Sequence, residues 1–573
     1  MYVYFNINVE NNTDIMFQNI ITMNSIYFTN FDTSNVQNMS YMFDNCYSLN
    51  SINFRSKFNT TNVRTMAAMF QDCNSLKSID LTSFDTLNLN YMNNMFEFCY
   101  SLTSINLSNF DTRNVLYMSF LFTDCSSLES IDLSKNFNTQ NVSLINYMFK
   151  GCTSLKSIDL KNFNTENVND MYMMFYSCRS LTELDISNFN TKNVNNMHAM
   201  FRDCMSLKKL KISANFTTEK VNDIAEIFRD CSNLTSIDLS NFYTNRIIDM
   251  SYLFSGCSTL ESINLENFDT SEVIYMNSMF EGCSKLKSIN ISSFNTRKVI
   301  YINSMFKDCS SLEEIDLTYL ETDNVIDMSY LFSGCRKLPS INISMFVTNK
   351  TIDMSHMFED CMKLQSIDLS NLKTNNLINM ECMFFGCSNL NKIEFSNFDT
   401  SKVVNMVGLF KDCINLETID ISEFKTNNVH NMRAMFKNRS SLTTLNFGDF
   451  NTEKVTDMGE MFHSSGLKFL DLSTFETKNT LIMTEMFKNM KNINHIHLGF
   501  ETTSLTEMNE MFFDCPNLKL IYIPFFSISS SSIIKIFNDN LAENGKFIVN
   551  RNFCKNIDTH ILSKKYWETI ILN

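Results

Sequence analysis

The sequence predicts an α/β repeat solenoid of about 20 coils, each with one short parallel strand and one short helix in about 26 residues. Three observations predict it. One phrase recurs through most of the chain, its apolar spacing changes from helical to strand-like, and 573 residues exceed one compact core. A single core stops growing near about 250–300 residues. The recurring phrase therefore favours one continuous array.

The first half of each copy predicts the helix. The clearest copy runs from Phe268 to Ile291 and reads FDTSEVIYMNSMFEGCSKLKSINI. Its apolar residues recur at the spacing that places side chains on one stripe of a helix, namely Val273, Met276, Met279, Phe280 and Cys283. We therefore expect a short helix over the M-x-x-M-F-x-x-C segment of every copy.

The second half of each copy predicts the strand. Leu286, Ile289 and Ile291 read L-x-x-I-x-I, so β-branched residues alternate with polar ones at the end of the phrase. Such alternation is typical of a short strand with one buried face. Ile289 and Ile291 are expected to point inward.

Two further positions hardly vary between copies. The first is the Phe of the M-F pair, from Phe17 and Phe43 to Phe512, which we expect to stack on its counterpart in the next coil. The second is the Thr of F-x-T, as in Thr33 and Thr270. We expect its hydroxyl to satisfy backbone groups of the turn and to bond the neighbouring Thr.

Cysteines mark the register of the array. The marker recurs from Cys46 to Cys413, becomes Arg439, Ser465 and Met490, and returns as Cys515. We interpret this ladder as buried free thiols that fill a small apolar slot, with bound metal or regulated disulfides as the alternatives. No C-x-x-C occurs, and the offset between Cys382 and Cys387 does not match common zinc spacing.

The repeat defines three segments. Residues 1–30 are predicted to be a degenerate N-terminal capping coil. The spacing of the repeat continues into this segment, but most of the consensus residues of the repeat are replaced there. Residues 31–524 are the predicted solenoid. Residues 525–573 are predicted to be a C-terminal cap, with a small binding domain as the alternative.

The wording of the copies resembles a known family. L-x-x-I-x-L followed by S-N-F-D-T-S-N-V-x-N-M-S-x-M-F-x-x-C is similar to the repeat of BspA-type leucine-rich repeat surface proteins, in the version found in mycoplasma lipoproteins. The resemblance covers about residues 15–524. It implies a leucine-rich-repeat-like solenoid and a role in attachment at the cell surface or as a secreted protein. A repeat alone does not identify a ligand.

Composition excludes several classes of function. The net charge is −15 and no run of Lys and Arg appears, so binding to a phosphate backbone is not expected. No stretch is apolar for the roughly 18 residues that a membrane span requires. The segment after Met1 lacks the basic and apolar regions of a signal peptide, so no leader or anchor is expected and a cytoplasmic location stays open.

No catalytic motif is recognisable. The sequence contains no G-x-S-x-G, H-E-x-x-H, P-loop or dinucleotide fingerprint, and a regular array repeats like residues instead of converging unlike ones. His495 and His497 share one strand face, which we interpret as a chance neighbourhood, with a metal pair as the alternative. The chain is therefore predicted not to be an enzyme and to need neither a cofactor nor a metal.

The outward residue of the strand is the candidate for binding. It is Asp or Asn in most copies, including Asp185 and Asp238, and we interpret it as a solvated ladder, with bridging calcium as the alternative. A cluster of Lys208, Lys209 and Lys211 interrupts this ladder, and His497 and Tyr522 end it.

We therefore expect a non-enzymatic scaffold that binds a protein or glycan partner through the exposed sheet face. Two alternatives remain at this point: a purely structural spacer and an intracellular protein-interaction solenoid. The cluster at Lys208 would suit an acidic group of a partner, or would merely balance the charge of Asp185 and Asp238.

Overall fold

The structure, a computed structural model, describes residues 4–5, 11–29, 31–54, 57–133, 135–500, 504–523, 535–550 and 563–572. The chain forms two compact units, Met1–Leu286 and Lys287–Asn573. Each unit is a stack of coils. Residue 30 and residues 524–534 lie outside the described part, so the predicted segment boundaries near 30 and 524 stay predictions.

The named strands are short and pair in parallel. In the first unit they are β1 (Tyr4–Phe5), β2 (Ser25–Phe28), β3 (Ser51–Asn53), β4 (Ser104–Leu107), β5 (Ser130–Leu133), β6 (Glu183–Asp185) and β7 (Lys209–Lys211). In the second unit they are β8 (Ser366–Asp368), β9 (Lys392–Glu394), β10 (Thr418–Asp420), β11 (Thr444–Asn446), β12 (Phe469–Leu472), β13 (His495–Leu498), β14 (Leu520–Ile523), β15 (Lys546–Asn550) and β16 (Glu568–Leu572).

Each strand pairs with the equivalent segment one coil away. The first unit contains the sheets β1-β2-β3, β4-β5 and β6-β7, and the second contains β8-β9, β10-β11 and β12-β13-β14-β15-β16. Other coils keep the alternation without forming a named strand. Ile289 and Ile291 are 6% and 2% exposed, so they point inward as predicted, yet they lie outside the named strands. The predicted strand is therefore regular in only part of the coils.

The predicted helix of each coil is wrong. No described residue of the M-x-x-M-F-x-x-C segments is helical, and the segments are runs of turns. Within one coil the Met279 N–H donates to the Met276 carbonyl, with 3.3 Å between N and O. The Phe254 N–H instead donates across to the Met279 carbonyl of the next coil, at 2.9 Å. Backbone donors thus alternate between closing a turn and joining two coils.

The physical reason lies in two left-handed residues per coil. In the clearest copy, Ser278 and Gly282 have φ of 55° and 73°, and a residue in this region interrupts a right-handed helix. The turns nevertheless bury the same apolar positions that a helix would bury. Met276, Met279 and Phe280 are 0% exposed, so apolar spacing did not distinguish the two structures.

The predicted Phe stack is confirmed within each unit. In the first unit the rings of Phe17 and Phe43 lie 5.4 Å apart between centroids, and those of Phe228 and Phe254 lie 5.8 Å apart. Both pairs are nearly parallel, at 7° and 8°. In the second unit the stack continues to Phe537, which lies 5.6 Å from Phe512. Residues near Phe537 therefore extend the core beyond the last recognisable copy.

The Thr row satisfies the backbone, as predicted, and the hydroxyls of Thr112 and Thr60 bond the residue before the neighbouring Thr instead of that Thr. Thr112 Oγ1 donates to the Asn138 carbonyl at 2.8 Å and accepts the Asn138 N–H at 2.7 Å. Thr60 makes the same pair of bonds with Asp85, each at 2.8 Å. One hydroxyl thus serves both polar groups of a peptide residue in the next coil, because it donates and accepts at once.

The ladder thiols are free and buried. The described cysteines form no disulfide, and all of them except Cys382 are buried. Cys257 Sγ donates to the Phe228 carbonyl at 3.1 Å, and Cys73 donates in the same way to Phe43 at 3.3 Å. Burial raises the pKa of the Cys204 thiol to about 12, so the ladder stays protonated. The recurring Cys therefore supplies a donor for the carbonyl of the Phe in the preceding coil.

Candidate functional site

The outward residues of the sheet face are fixed by short turns. Asp80 Oδ1 accepts the Thr82 N–H, and Asp238 Oδ1 accepts the Ser240 N–H, both at 3.0 Å. Asn290 accepts the Ser292 N–H in the same way, at 3.0 Å. An Asp or Asn that bonds the backbone two residues later forms an Asx turn, in which the side chain acts as part of the turn. Turn formation thus gives a structural reason for the Asp and Asn ladder.

These hydrogen bonds favour the ionised form of Asp80 and Asp238. The bonds from Thr82 hold the pKa of Asp80 below its usual value, and those from Ser240 do the same for Asp238. One carboxylate oxygen of each Asp is held by the turn, while the side chain remains exposed. The face therefore presents negative charges at fixed positions, separated in part by neutral Asn residues such as Asn290.

The predicted Lys cluster lies on and next to β7. Lys208, Lys209 and Lys211 are all exposed, and β7 pairs with β6 so that Lys211 faces Asp185. Lys211 Nζ lies 2.8 Å from Asp185 Oδ2, and this bond, with two from Ser187, lowers the pKa of Asp185 to about 2. Lys208 and Lys209 make no ion pair with any described residue.

The two predicted aromatic positions lie together at the other end of the chain. His497 on β13 is opposite Tyr522 on β14, and their ring centroids lie 4.5 Å apart in an edge-to-face arrangement. His497 Nδ1 also lies 3.5 Å from Asp471 Oδ1 on β12. The structure therefore joins these two residues with Asp471. The Lys cluster belongs to the first unit.

Sequence reasoning missed one exposed aromatic residue on this face. Phe469 on β12 is 57% exposed and pairs with His495. It borders a shallow groove, whose other lining residues include Thr444, Leu445 and Asp471. Phe469 lies two residues before an outward Asp, and strand alternation places both residues on the same face. Alignment of the 26-residue repeats could therefore have identified Phe469 as an outward residue.

One group of side chains in the described part has the composition of a metal site. The ligand atoms of His356, Glu381 and Cys382 all lie within 4.8 Å of one another, and each residue is half-buried. None of the three belongs to the outward sheet face. No described group of three ladder carboxylates is as close.

The repeat matches a known protein family over most of the chain. The family is described as "Mycoplasma protein of unknown function, DUF285", and it matches residues 11–131, 101–214, 172–263, 250–369, 352–469 and 409–524. The chain belongs to this family. The match confirms that the repeat was recognised correctly from the sequence. No curated protein is similar enough to count as a match.

Solved structures of bacterial leucine-rich repeat proteins are similar to the chain. One from Bacteroides ovatus is 21% identical over 60% of this chain and 82% of its own length, with a TM-score of 0.36. A leucine-rich cell surface protein from Faecalibacterium prausnitzii is 18% identical over 60% and 83%, with a TM-score of 0.32. One from Eubacterium ventriosum is 14% identical over 80% and 88%, with a TM-score of 0.26.

The matches named above indicate no catalytic family. Within the described residues, no helix has both the length and the apolar character that crossing a membrane would require.

Proposed function

We propose that this chain is a non-enzymatic scaffold that attaches to a protein partner through the exposed face of its strands, at the cell surface. The observation that carries the proposal is the outward row, in which side chains are exposed but locked by backbone hydrogen bonds. The side chains of Asp80, Asp238 and Asn290 each accept a hydrogen bond from the backbone N–H two residues later. Side chains that are already ordered lose little entropy on binding, so many weak contacts add to a useful affinity.

We assign binding specificity to the coils in which the outward strand residues are not Asp or Asn. Lys208 and Lys209 are adjacent exposed cations on a face whose outward residues include many Asp and Asn, and they suit an acidic group of a partner. Lys211 contributes less, because Asp185 already neutralises it. In the second unit, Phe469 and Tyr522 offer aromatic surface of the kind that is enriched at protein interfaces.

The test is attachment of the labelled chain to cultured cells and to immobilised extracellular matrix. The variant Lys208→Asp/Lys209→Asp leaves the Lys211–Asp185 pair intact and should weaken attachment at least tenfold. The matched control is Lys402→Asp/Lys454→Asp, which makes the same charge change at exposed residues outside the strands. The control should attach like the wild type.

Each outcome has a defined meaning. Equal losses in the variant and the control would indicate a general charge effect and would remove the Lys cluster from the proposal. Attachment lost after proteolysis of the cell surface supports a protein partner, and attachment lost after removal of surface glycans indicates a glycan partner instead. No attachment by the wild type leaves the spacer function as the better explanation.

A further inference from the structure

His356 and Cys382 are brought together by the repeat. They occupy the same position in consecutive coils, 26 residues apart, and both are left-handed, with φ of 57° and 51°. The His356 N–H donates to the Glu381 carbonyl at 2.8 Å, so the two coils are joined at this point. Equivalent positions in adjacent coils direct their side chains the same way. Glu381 precedes Cys382 and completes the group.

The histidine ring is held by its own coil and the preceding one. His356 Nδ1 lies 3.0 Å from Glu359 Oε2, and the ring stacks on Tyr330 at 4.3 Å between centroids and 4° between planes. A carboxylate on one ring nitrogen orients the other nitrogen and raises its basicity, as is usual for metal-binding histidines.

The carboxylate and the thiol have defined places as well. Asn405 Nδ2 donates to Glu381 Oε2 at 2.8 Å. A side chain at Gly408 would lie 2.8 Å from Cys382 Sγ, so the glycine leaves the space that the thiol occupies. Unlike the ladder thiols, Cys382 is partly exposed, and its Sγ makes no hydrogen bond to any described residue. Its residue is therefore less completely enclosed than the ladder cysteines.

The charges around the thiol favour a cation. The Glu381 carboxylate lies within 4.8 Å of the Cys382 thiol, and a second carboxylate, that of Glu359, contacts His356. Two carboxylates and a thiol in a half-buried position repel one another when ionised. A bound divalent cation reverses this effect, because it stabilises the thiolate and the carboxylates together.

We propose that His356, Glu381 and Cys382 bind one Zn²⁺ ion, with water as the fourth ligand. Nitrogen, oxygen and sulfur ligands together suit Zn²⁺ and are poor for Mg²⁺ or Ca²⁺, which prefer oxygen alone. Ligands in a tetrahedral zinc site are about 3.5 Å apart, given bond lengths of about 2.0–2.3 Å. Small side-chain rotations therefore suffice to close the group. Binding replaces the thiol S–H bond with an S–Zn bond and releases one proton.

The test is binding of Zn²⁺ and Co²⁺ to the folded full-length chain without an affinity tag. Zinc is titrated against a chromophoric chelator, and Co²⁺ is followed by its thiolate charge-transfer absorption. We expect one equivalent of metal, no response to Mg²⁺, and a cobalt thiolate band. Cys382→Ser should abolish that band, and His356→Ala and Glu381→Gln should each weaken zinc binding at least tenfold.

Two further variants separate ligand loss from general effects. Glu359→Gln should keep the cobalt band while weakening binding about 10- to 100-fold, because Glu359 orients the ring without touching the metal. His430→Ala changes an exposed histidine elsewhere and should bind zinc like the wild type. Far-UV circular dichroism checks that each variant is folded. No metal uptake by the wild type, or a thiolate band that persists in Cys382→Ser, would overturn the proposal.

Discussion

Arg439 offers the sharpest test of how the core is built. It takes the position of a ladder cysteine and is 0% exposed. Its Nη1 donates to the Phe410 carbonyl at 3.3 Å, its Nη2 donates to the Leu416 carbonyl, and its Nε has no hydrogen-bond partner. The guanidinium thus replaces the thiol as donor to the preceding Phe, but it brings a buried charge into an apolar core.

Arg439→Met should stabilise the coils around it. Removing an ion from water costs several kcal/mol, and burial lowers the pKa of Arg439 because the charged form is disfavoured there. The two carbonyl bonds offset part of this cost, at about 1.5–3 kcal/mol each. Replacing buried charged groups by apolar ones of similar volume stabilises proteins by about 1–4 kcal/mol. Met490 already fills the equivalent position, also at 0% exposure, so Met fits this slot.

The assay is local, because a repeat array does not unfold as one cooperative unit. Hydrogen exchange of peptides spanning residues 410–442 should slow by about tenfold or more for each 1.4 kcal/mol gained in the local free energy of opening. Arg64→Met, at an exposed arginine in the other unit, should change local stability by less than about 0.5 kcal/mol. Faster exchange in Arg439→Met would show that the carbonyl bonds outweigh the buried charge and would refute the reasoning.

Three further predictions concern the repeated positions. Thr112→Val removes both bonds to Asn138 and should lower the local free energy of opening by about 2 kcal/mol, measured by hydrogen exchange of peptides spanning residues 112–138; unchanged exchange would show that water replaces them. Cys257→Ser should cost about 1–3 kcal/mol and more than Cys257→Ala, because the shorter C–O bond leaves the buried hydroxyl unpaired, as Ser465 Oγ is; a Ser variant as stable as the wild type would contradict this. The folded pKa of Asp185 is lowered to about 2, so its pairing with Lys211 stabilises the fold above about pH 4, and this contribution is lost as the pH falls toward 2. Because the pair is exposed, Lys211→Met should reduce stability at pH 6 by less than about 1 kcal/mol and leave it unchanged near pH 2.

The sequence predicted the stacked positions well because stacking repeats one interaction. Phe17 and Phe43 share one position in the phrase, and a common position in adjacent coils places their rings in contact. The helix was predicted wrongly because a run of turns buries apolar side chains at the same spacing as a helix. The residue before the ladder Cys gave the missing signal. It is often Gly, Asp or Asn, as in Gly282 and Asp308, and these residues tolerate the left-handed conformation best.

The candidate sites were predicted less completely because they depend on side-chain contacts between coils. The Asx turn of Asp80 depends only on local sequence. From the sequence alone, however, a structural role of this Asp in a turn could not be distinguished from a role as an exposed charge. The group of His356 and Cys382 was overlooked because zinc spacing was sought along the chain. In a repeat protein, ligands one full coil apart are neighbours, so the spacing to search is 26 residues.

The most direct test of the central claim compares two faces of the same unit by cell attachment. Asp→Ser keeps the turn, because a Ser hydroxyl also accepts the N–H two residues later, but removes the charge. Each Asp of both sets accepts the N–H two residues later. The first variant carries the change on the sheet face at Asp80, Asp159 and Asp238, and the second carries it outside the strands at Asp85, Asp111 and Asp269. Weakened attachment of the first variant with unchanged attachment of the second is the predicted result, and equal attachment of both would contradict binding through the sheet face.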